Sequence, residues 1–288
     1  MDLSIIIVNW NVKSLLEKCL ESIFRETRDL NYEVIVVDNN SKDGSQEFLS
    51  QLEKKGKIKL ILNQTNLGFA KANNQALDLA KGEFILFLNP DTEILDQAIV
   101  KAVKFMRQHE DWGIMGCQLI DKNGQVQMSV RRFPTLISQI LILLKLHHLF
   151  PKLTPLKKYF FSDFDYSRVQ EVDQVMGAFL LTKHKIINQI GGFDENFYLW
   201  FEEVDFCKRV QNAGWKVIYN PEIKIIHHGG QSFCQILSYK KQKIYNQSVI
   251  YYFKKHHPAW QAKFLMMLQL ISLFLTFLYG FCYLRKRI

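Results

Sequence analysis

The sequence predicts an α/β fold: a doubly wound, mostly parallel sheet flanked by helices, with a membrane-associated helical tail after it. Two observations predict this architecture. Up to about residue 120, short apolar runs alternate with segments of helical spacing, which is the pattern of βαβ units. Residues 264–284 then form one apolar stretch, which as a helix would be about 31 Å long, close to the hydrocarbon thickness of a bilayer.

The individual elements follow from runs and periodicity. Apolar runs predict strands at 5–8, 32–37, 57–62, 84–88 and 113–119, and later at 172–182, 215–219 and 222–226. Helical spacing predicts helices at 13–25, 45–52, 70–80 and 96–109. Pro90 cannot extend a central ladder, so the strand at 84–88 ends just before it.

Polar side chains follow each of the first four strands. They are Asn9 and Asn11, Asp38 and Asn40, Asn63 and Asn66, and Asn89 and Asp91. Ligands of open α/β sheets bind beyond the carboxyl ends of the strands, so this repetition predicts one polar crevice. The sequence contains neither GxGxxG nor GxxxxGK[ST], which argues against an ordinary dinucleotide enzyme or a P-loop ATPase.

The stretch Asn89-Pro90-Asp91-Thr92 has two interpretations. These are ordinary turn residues, so it is either a turn with an Asx cap or a binding site. A carboxylate at this strand end would hold a hard cation such as Mg²⁺ or Mn²⁺ against a diphosphate. On its own, this stretch favours neither interpretation.

Two downstream clusters also allow two interpretations each. Glu202, Glu203 and Asp205 lie at a predicted helix start, where acids stabilise the helix dipole. Alternatively, adjacent carboxylates beside aromatic residues would raise one another's pKa and supply a general base. His227 and His228 end a predicted strand and would either bind metal or phosphate or serve a structural role.

Charge and cysteine content suggest the compartment and the partners. The net charge is +9, yet residues 122–162 contain seven Lys or Arg and residues 236–288 contain nine, with no acid in either segment. These basic residues alternate with apolar runs, which favours an anionic membrane surface over nucleic acid. Five cysteines without a CxxC pair, and no basic leader at the N-terminus, predict reduced thiols in the cytoplasm.

Two segments are candidates for contact with that membrane. Residues 131–162 read as a basic, apolar insertion with a helix at 136–150, which is either an ordinary core helix or an interfacial one. Residues 236–288 form the predicted tail, separate from a domain at 1–235, and 264–284 either spans the bilayer or lies at its surface. Basic residues flank both ends of 264–284, so the positive-inside rule does not orient it.

Eight short blocks, taken in order, resemble the family 2 glycosyltransferases of the GT-A fold, and among them the rhamnosyltransferase-like enzymes of bacterial cell-surface polysaccharide assembly. The blocks are 6–11 (IIVNWN), 36–45 (VVDNNSKDGS), 66–74 (NLGFAKANN), 88–92 (LNPDT), 177–180 (GAFL), 191–195 (GGFDE), 201–205 (FEEVD) and 227–232 (HHGGQS). No block is specific alone; their order and spacing carry the resemblance.

The resemblance implies an inverting transfer of one sugar from a nucleotide-diphosphate sugar. It implies that Asp38 binds the base, that Asp91, helped by Asn89, holds the divalent cation, and that Glu203 is the general base. Asp194 would face the acceptor, and His228 would lie beside the diphosphate. Further nucleotide-lining residues would be Asn9, Asn11, Asn40, Asn66, Gly68 and Asn73.

The family usually has a Glu-Asp pair where this chain has Glu202-Glu203, so Glu202 and Asp205 stay candidates for the base. The Gln-x-x-Arg-Trp block of processive synthases is missing, which favours a single transfer. The implied acceptor is a polyprenyl-diphosphate-linked sugar or a glycan at the cytoplasmic face of the membrane. Two alternatives are a non-catalytic lipid- or glycan-binding module and a nucleotidyltransferase, although the Gly-rich basic first loop of the latter is absent.

Overall fold

The sheet can be traced in a computed structural model, which describes residues 1–229, 235 and 238–285. Eleven strands lie within these residues. They are β1 (Leu3–Asn9), β2 (Tyr32–Asp38), β3 (Lys59–Leu62), β4 (Phe84–Leu88), β5 (Thr92–Ile94), β6 (Trp112–Ile120), β7 (Val130–Arg131), β8 (Gln170–Glu171), β9 (Gln174–Val175), β10 (Phe179–Lys183) and β11 (Lys216–His227).

Eleven helices accompany the strands in the described part of the chain. They are α1 (Lys13–Glu26), α2 (Ser45–Lys54), α3 (Phe69–Leu77), α4 (Ala98–Gln108), α5 (Leu136–Leu143), α6 (Leu146–Leu149), α7 (Thr154–Phe160), α8 (His184–Ile190), α9 (Glu202–Asn212), α10 (Ser238–His256) and α11 (Ala259–Arg285). Helices cover both faces of the sheet, so alternate residues of β1 enter different apolar cores. Ile5 and Ile7 belong to one apolar cluster and Ile6 and Val8 to the other.

The main sheet is mixed, with the order β3-β2-β1-β4-β10-β6-β11-β5 and with β8 paired to β11. The strands β3, β2, β1 and β4 are mutually parallel, and β10 runs antiparallel between β4 and β6. Asn9 therefore lies directly opposite Asp38 at the carboxyl edge of the sheet. The predicted α/β class is confirmed, and this edge gathers the polar residues that follow β1, β2 and β4.

Three predicted elements differ in detail. The predicted helix at 136–150 is two short helices, because Lys145 adopts a left-handed conformation (φ 61°) between them. The predicted strand at 172–182 is two strands, β9 and β10, separated by residues 176–178. The two strands predicted at 215–226 are one strand, β11, whose pairing with β6 shifts between Asn220 and Lys224, where Pro221 is accommodated.

The tail begins by packing on the rest of the protein. Buried residues of α10 and of the first two turns of α11 form a third apolar cluster with Leu143 of α5 and with residues 197–204. Further along α11 the apolar side chains are exposed: Met267 by 66%, Leu270 by 71% and Phe274 by 61%. Ala259–Leu278 is long and apolar enough to cross a membrane. The predicted boundary at residue 235 stays a prediction.

Candidate functional site

A cavity of about 660 Å³ opens at the carboxyl edge of the sheet. Its wall is built from residues that follow β1, β3 and β4, from the start of α9 and from α10. The predicted site residues that line it are Asn66, Gly68, Asn89, Asp91, Glu202 and Glu203. These six residues come from three segments distant in sequence, two strand ends and one helix start, which the fold brings together in one site.

Asp91 lies in the turn that ends β4, so both interpretations of its stretch describe the same residues. The Thr92 hydroxyl donates to the backbone oxygen of Asn89 at 2.8 Å, which fixes the turn. The Asn89 amide donates to the Ala178 oxygen at 3.1 Å, which ties this turn to the segment before β10. The Asp91 side chain is nearly buried, with 6% exposure of the residue, and lines the cavity.

His227 is the histidine that approaches the Asp91 carboxylate: its Nε2 lies 3.5 Å from Asp91 Oδ1. The sequence named His227 and His228 together, and the resemblance placed His228 beside the diphosphate. The ring of His228 contacts Glu93 Oε1 at 2.7 Å, and its backbone amide donates to the Asp91 backbone oxygen at 2.9 Å. Alternation along β11 places the two neighbouring rings differently, and sequence alone gives no signal for which one faces the cavity.

The proton of His227 can be assigned from its partner. The Gln127 side-chain nitrogen donates to the His227 backbone oxygen at 2.7 Å, which orients that amide and turns its oxygen to His227 Nδ1 at 2.8 Å. Nδ1 must then carry the proton, and Nε2 of the neutral ring is an acceptor. Burial lowers the pKa of His227 and keeps the ring neutral, with Asp91 opposing this only partly.

Asp91 and His227 thus present an oxygen and a nitrogen acceptor side by side, and Nε2 of His227 has no hydrogen-bond donor within the described residues. This donor set fits Mn²⁺ or Mg²⁺ whose remaining ligands are diphosphate oxygens and water. No cluster of three or more His, Cys, Asp or Glu that could hold a metal occurs in the described part of the chain. A cation would therefore bind together with its phosphate ligand.

Asp38 and Asn9 form a buried network at the ends of β2 and β1. Asn9 donates to Asp38 Oδ2 at 2.8 Å, and the Ser41 backbone amide and the Gln46 side chain donate to Oδ1 at 2.8 and 3.0 Å. Asp38 is fully buried. These contacts fix the loop after β2, and its next residue, Asn39, lines the cavity although sequence reasoning did not select it.

Three further predicted asparagines also make loop contacts. Asn11 Oδ1 accepts from the Lys42 amide at 2.6 Å, and Asn40 Oδ1 accepts from the Lys42 ammonium at 2.6 Å. Asn73 donates to the Phe69 oxygen one turn earlier in α3, at 2.8 Å. None of the three is among the lining residues in the described part of the cavity. Trp10, which follows β1 and was not selected from the sequence, does line the cavity.

Gly68 joins the loop before α3 to the segment before α9. Its φ is +86°, and a Cβ added there would lie 2.4 Å from the Tyr198 backbone oxygen. That same oxygen accepts from the Phe69 amide at 2.8 Å. Only glycine permits this approach, so the residue predicted for nucleotide contact also brings two walls of the cavity together.

Glu202 and Glu203 begin α9, directly after two residues with left-handed backbone, Trp200 (φ 64°) and Phe201 (φ 71°). Successive left-handed non-glycine residues store strain, which the surrounding structure must offset. Oε2 of each glutamate is buried and has no hydrogen-bond partner within the described residues. The predicted helix start and the predicted carboxylate pair both exist here.

The two carboxyls differ in their surroundings. Burial raises the pKa of Glu202 well above its usual range, and the negative charge of Glu203 raises it further. Burial also raises the pKa of Glu203, but the positive charge of Arg131 opposes that shift. Burial thus raises the pKa more strongly at Glu202 than at Glu203, so Glu203 is the more acidic carboxyl of the pair.

Asp205 and Asp194 link the body to α10 instead of facing the cavity. Asp205 is fully buried and accepts from His256, Lys255 and Arg209 at 2.7, 2.8 and 2.7 Å. Asp194 accepts from Lys255 at 2.7 Å and is held further by Asn196 and Tyr251. Burial would raise the pKa of Asp194, but these hydrogen bonds outweigh it and lower the value to about 2.

Comparison with known proteins places the fold and the site in context. The chain is 25% identical over 279 residues to the N-acetylglucosaminyl-diphospho-decaprenol L-rhamnosyltransferase of Mycobacterium tuberculosis, covering 90% of this chain and 87% of the relative. It is 28% identical over 240 residues to the rhamnosyltransferase WbbL of Escherichia coli K12, covering 80% and 85%. The mannosyltransferase PcManGT of Pyrobaculum calidifontis, solved with GDP-Man and Mn²⁺, shares the fold, with TM-score 0.57, 17% identity and coverage of 94% and 73%.

The match to a family model covers more than half of the chain. The description of that model is "Glycosyl transferase family 2", and the matched residues are 4–167, from β1 to the segment before β8. These residues include the strand ends that carry Asn9, Asp38 and Asp91, and α9 follows them with the carboxylate pair. The chain belongs to glycosyl transferase family 2, and it is a nucleotide-sugar-dependent glycosyltransferase of the GT-A fold.

Proposed function

We propose that this protein transfers a single sugar, with inversion, from a nucleotide-diphosphate sugar to a hydroxyl of a polyprenyl-diphosphate-linked acceptor at the cytoplasmic face of the membrane. One observation carries the proposal. A single cavity is lined by Asp91 and His227, whose acceptor atoms lie 3.5 Å apart, and by Glu202 and Glu203, whose Oε2 atoms are buried without hydrogen-bond partners in the described residues. Inversion needs both functions, one for the leaving diphosphate and one for the attacking hydroxyl.

Asp91 and His227 support the donor side of the reaction. They would hold a divalent cation through one carboxylate oxygen and one imidazole nitrogen. When bound, that cation neutralises the charge that grows on the leaving diphosphate. Asn66 and Gly68 line the same cavity and would contact the donor nucleotide there.

Glu203 supports the acceptor side as the general base. A base must be ionised to accept the hydroxyl proton, and Arg131 favours the ionised form of Glu203. Glu202, which is more deeply buried, would stay protonated beside it. Glu203 would then take the proton of the acceptor hydroxyl. Glu202 would stay neutral, so that the pair carries a single negative charge.

The membrane part of the proposal is supported by α11 and by segment 136–158. Exposed apolar side chains on α11 form a stripe at helical spacing, from Trp260 through Phe264, Met267, Ile271 and Phe274 to Leu278. On segment 136–158, Leu149 and Phe150 are 71% and 54% exposed beside exposed lysines such as Lys152. Such surfaces insert into the headgroup region of anionic bilayers.

The relatives suggest the acceptor and the sugar. The Mycobacterium tuberculosis relative is named for rhamnose transfer to N-acetylglucosaminyl-diphospho-decaprenol. The test measures nucleoside diphosphate release from a panel of donors, led by dTDP-rhamnose, with a short-chain N-acetylglucosaminyl-diphospho-polyprenol as acceptor and Mn²⁺ or Mg²⁺ as metal. Wild-type protein should release nucleoside diphosphate only when both donor and acceptor are present.

Two variants separate the roles. Asp91→Ala should abolish turnover, because the variant no longer holds the cation. Glu203→Gln should lower kcat by about 10²–10⁴-fold while donor binding persists. Donor binding without turnover on any acceptor would instead identify a non-catalytic binding module. Equal activity of wild type and Asp91→Ala on the true donor would refute the cation role.

A further inference from the structure

Two basic side chains share the cavity with the carboxylate pair. Arg131 comes from β7 and Lys240 from the first turn of α10, and they are the lysine and arginine side chains among its described lining residues. Asp91 and His227, which would hold the cation, come from other elements of the wall, the β4 turn and the end of β11. The cavity therefore contains positive charge in addition to what a donor-bound cation would supply.

Arg131 is held in place without a carboxylate partner. Its guanidinium lies over the rings of Tyr159 and Phe160, with Cζ 6.0 and 5.4 Å from the ring centroids. No carboxylate lies within ion-pair distance of Arg131 in the described part of the chain, whereas its neighbour Arg132 pairs with Asp173 at 3.3 Å. Aromatic support preorganises the guanidinium, and the donors that do not bond to Tyr159 remain for an anion.

Lys240 differs from its neighbour Lys241 in position. It lines the cavity, and within the described residues no carboxylate lies within ion-pair distance of it. Lys241, the next residue, is not a lining residue. One turn further along α10, Ile244 also lines the cavity, so the charged and apolar parts of this wall adjoin.

Arg131 shares one cavity with the proposed base. Arg131 and Glu203 both line it, the Arg131 charge opposes the rise in the pKa of Glu203, and Glu203 as the base must touch the acceptor hydroxyl. The wall beside them includes Trp200 and Ile244, and Trp200 packs on the apolar cluster that α10 and α11 share. An anionic group with an apolar chain matches this arrangement: the anion on Arg131 and Lys240, the chain toward the tail helices.

We infer that Arg131 and Lys240 form an anion subsite that binds the phosphate groups of a lipid-linked acceptor. The inference rests on the proposed function, because it assigns the acceptor to the Glu203 side of the cavity. The sugar next to those phosphates would then present its hydroxyl to Glu203. Specificity for a phosphate-linked over a neutral lipid-linked sugar would follow from these two residues.

The binding experiment uses the full chain in neutral detergent micelles with EDTA, so that no cation draws diphosphate to Asp91. Farnesyl diphosphate, farnesol and inorganic diphosphate are titrated by calorimetry. We expect farnesyl diphosphate to bind most tightly, and Arg131→Gln and Lys240→Gln each to weaken it about tenfold. Arg132→Gln and Lys241→Gln are the matched controls and should change it less than about twofold.

Several results would overturn the inference. Farnesol binding as tightly as farnesyl diphosphate would remove the anion requirement, and inorganic diphosphate binding as tightly would remove the lipid. Equal weakening by the control variants would reduce the effect to general charge. Lys240 is exposed, so Lys240→Glu tests the subsite even if Arg131→Gln does not fold.

A second measurement separates this inference from the proposed function. Donor binding with Mn²⁺ is compared in wild type, Arg131→Gln and Lys240→Gln, and should be equal in all three. Loss of donor binding in the variants with intact farnesyl diphosphate binding would assign both residues to the donor phosphates and overturn the inference. Absence of donor binding in wild type would refute the proposed function while leaving the farnesyl diphosphate result to stand alone.

Discussion

Replacing Asp205 by asparagine should destabilise this enzyme strongly, because one fully buried carboxylate links α9 to α10. Asp205 lies in the first turn of α9 and accepts from Lys255 and His256 near the end of α10, and from Arg209 one turn along its own helix. The amide of asparagine is nearly the same size but neutral. The substitution therefore leaves the packing in place and removes the charge.

The loss of stability in Asp205→Asn depends on which other acceptors each cationic side chain keeps. Arg209 keeps the backbone oxygens of Ile190 and Gly192 at 2.9 and 2.6 Å, and Lys255 keeps Asp194. His256 has no other hydrogen-bond acceptor within the described residues. Removing one partner of a buried ion pair costs about 3–5 kcal/mol, and the retained contacts favour the lower end, about 3 kcal/mol. In a chain of this size that lowers Tm by roughly 6–12 °C.

The assay is thermal unfolding in detergent micelles, with Asp194→Asn as the control. Asp194 also binds Lys255 but is partly exposed, so solvent screening reduces its expected cost to about 1 kcal/mol. A Tm of Asp205→Asn that is no lower than that of Asp194→Asn would refute the reasoning. It would mean that α10 is held to α9 by its apolar contacts alone.

The pH dependence of stability gives a second check on Asp205. Burial would raise its pKa, but the hydrogen bonds from His256, Lys255 and Arg209 outweigh burial and lower it below the ordinary 3.8. A carboxyl with a lowered pKa stabilises the fold above its unfolded pKa, and that stability is lost as the pH falls through the folded value. Below about pH 4 the Tm of wild type should therefore fall more steeply than that of Asp205→Asn.

Three other predictions follow from the site and the tail. As the pH is lowered, kcat/KM should begin to fall at a pH above 4.5, the ordinary glutamate pKa, because burial raises the pKa of Glu203 and the base must be ionised. A fall that begins only at or below pH 4.5 contradicts this assignment. Glu202→Gln should keep most activity at neutral pH. Gly68→Ala should cost at least about 2 kcal/mol by thermal unfolding, because its Cβ meets the Tyr198 oxygen; an unchanged Tm would contradict it. The third prediction replaces three exposed residues of α11, Met267, Leu270 and Phe274, by glutamate. Sedimentation of this variant with anionic vesicles should fall at least tenfold, and full retention would contradict the membrane role.

Local sequence was sufficient where both faces of an element are buried or its ends are marked. The strand at 84–88 was predicted residue for residue, because five apolar residues are bounded by Gly82 and Pro90. The prediction of one helix at 136–150 was wrong. The apolar residues continue on both sides of Lys145, and nothing in that pattern marks its left-handed backbone. Likewise, the bulge in β11 is set by pairing with β6, which periodicity does not record.

Within the site, sequence reasoning found the elements but not always the side chain. It identified Asp91 and Glu203 from their position at a strand end and a helix start, and both line the cavity. It named both His227 and His228 as candidates and did not distinguish their rings, of which that of His227 faces Asp91 and that of His228 faces Glu93. Asp38 was predicted from the resemblance to bind the base; the structure places it in a buried network, and its role in base binding stays a prediction.

The tail contributes to the site as well as to the predicted membrane surface. Its first helix, α10, contributes Lys240 and Ile244 to the cavity wall and holds the first turn of α9 through Asp205. That turn carries Glu202 and Glu203 on a strained backbone, which needs support from the elements packed against it. Any force that shifts α10 therefore acts on the carboxylate pair. If α11 binds the membrane, docking and the geometry of the base are connected through one helix.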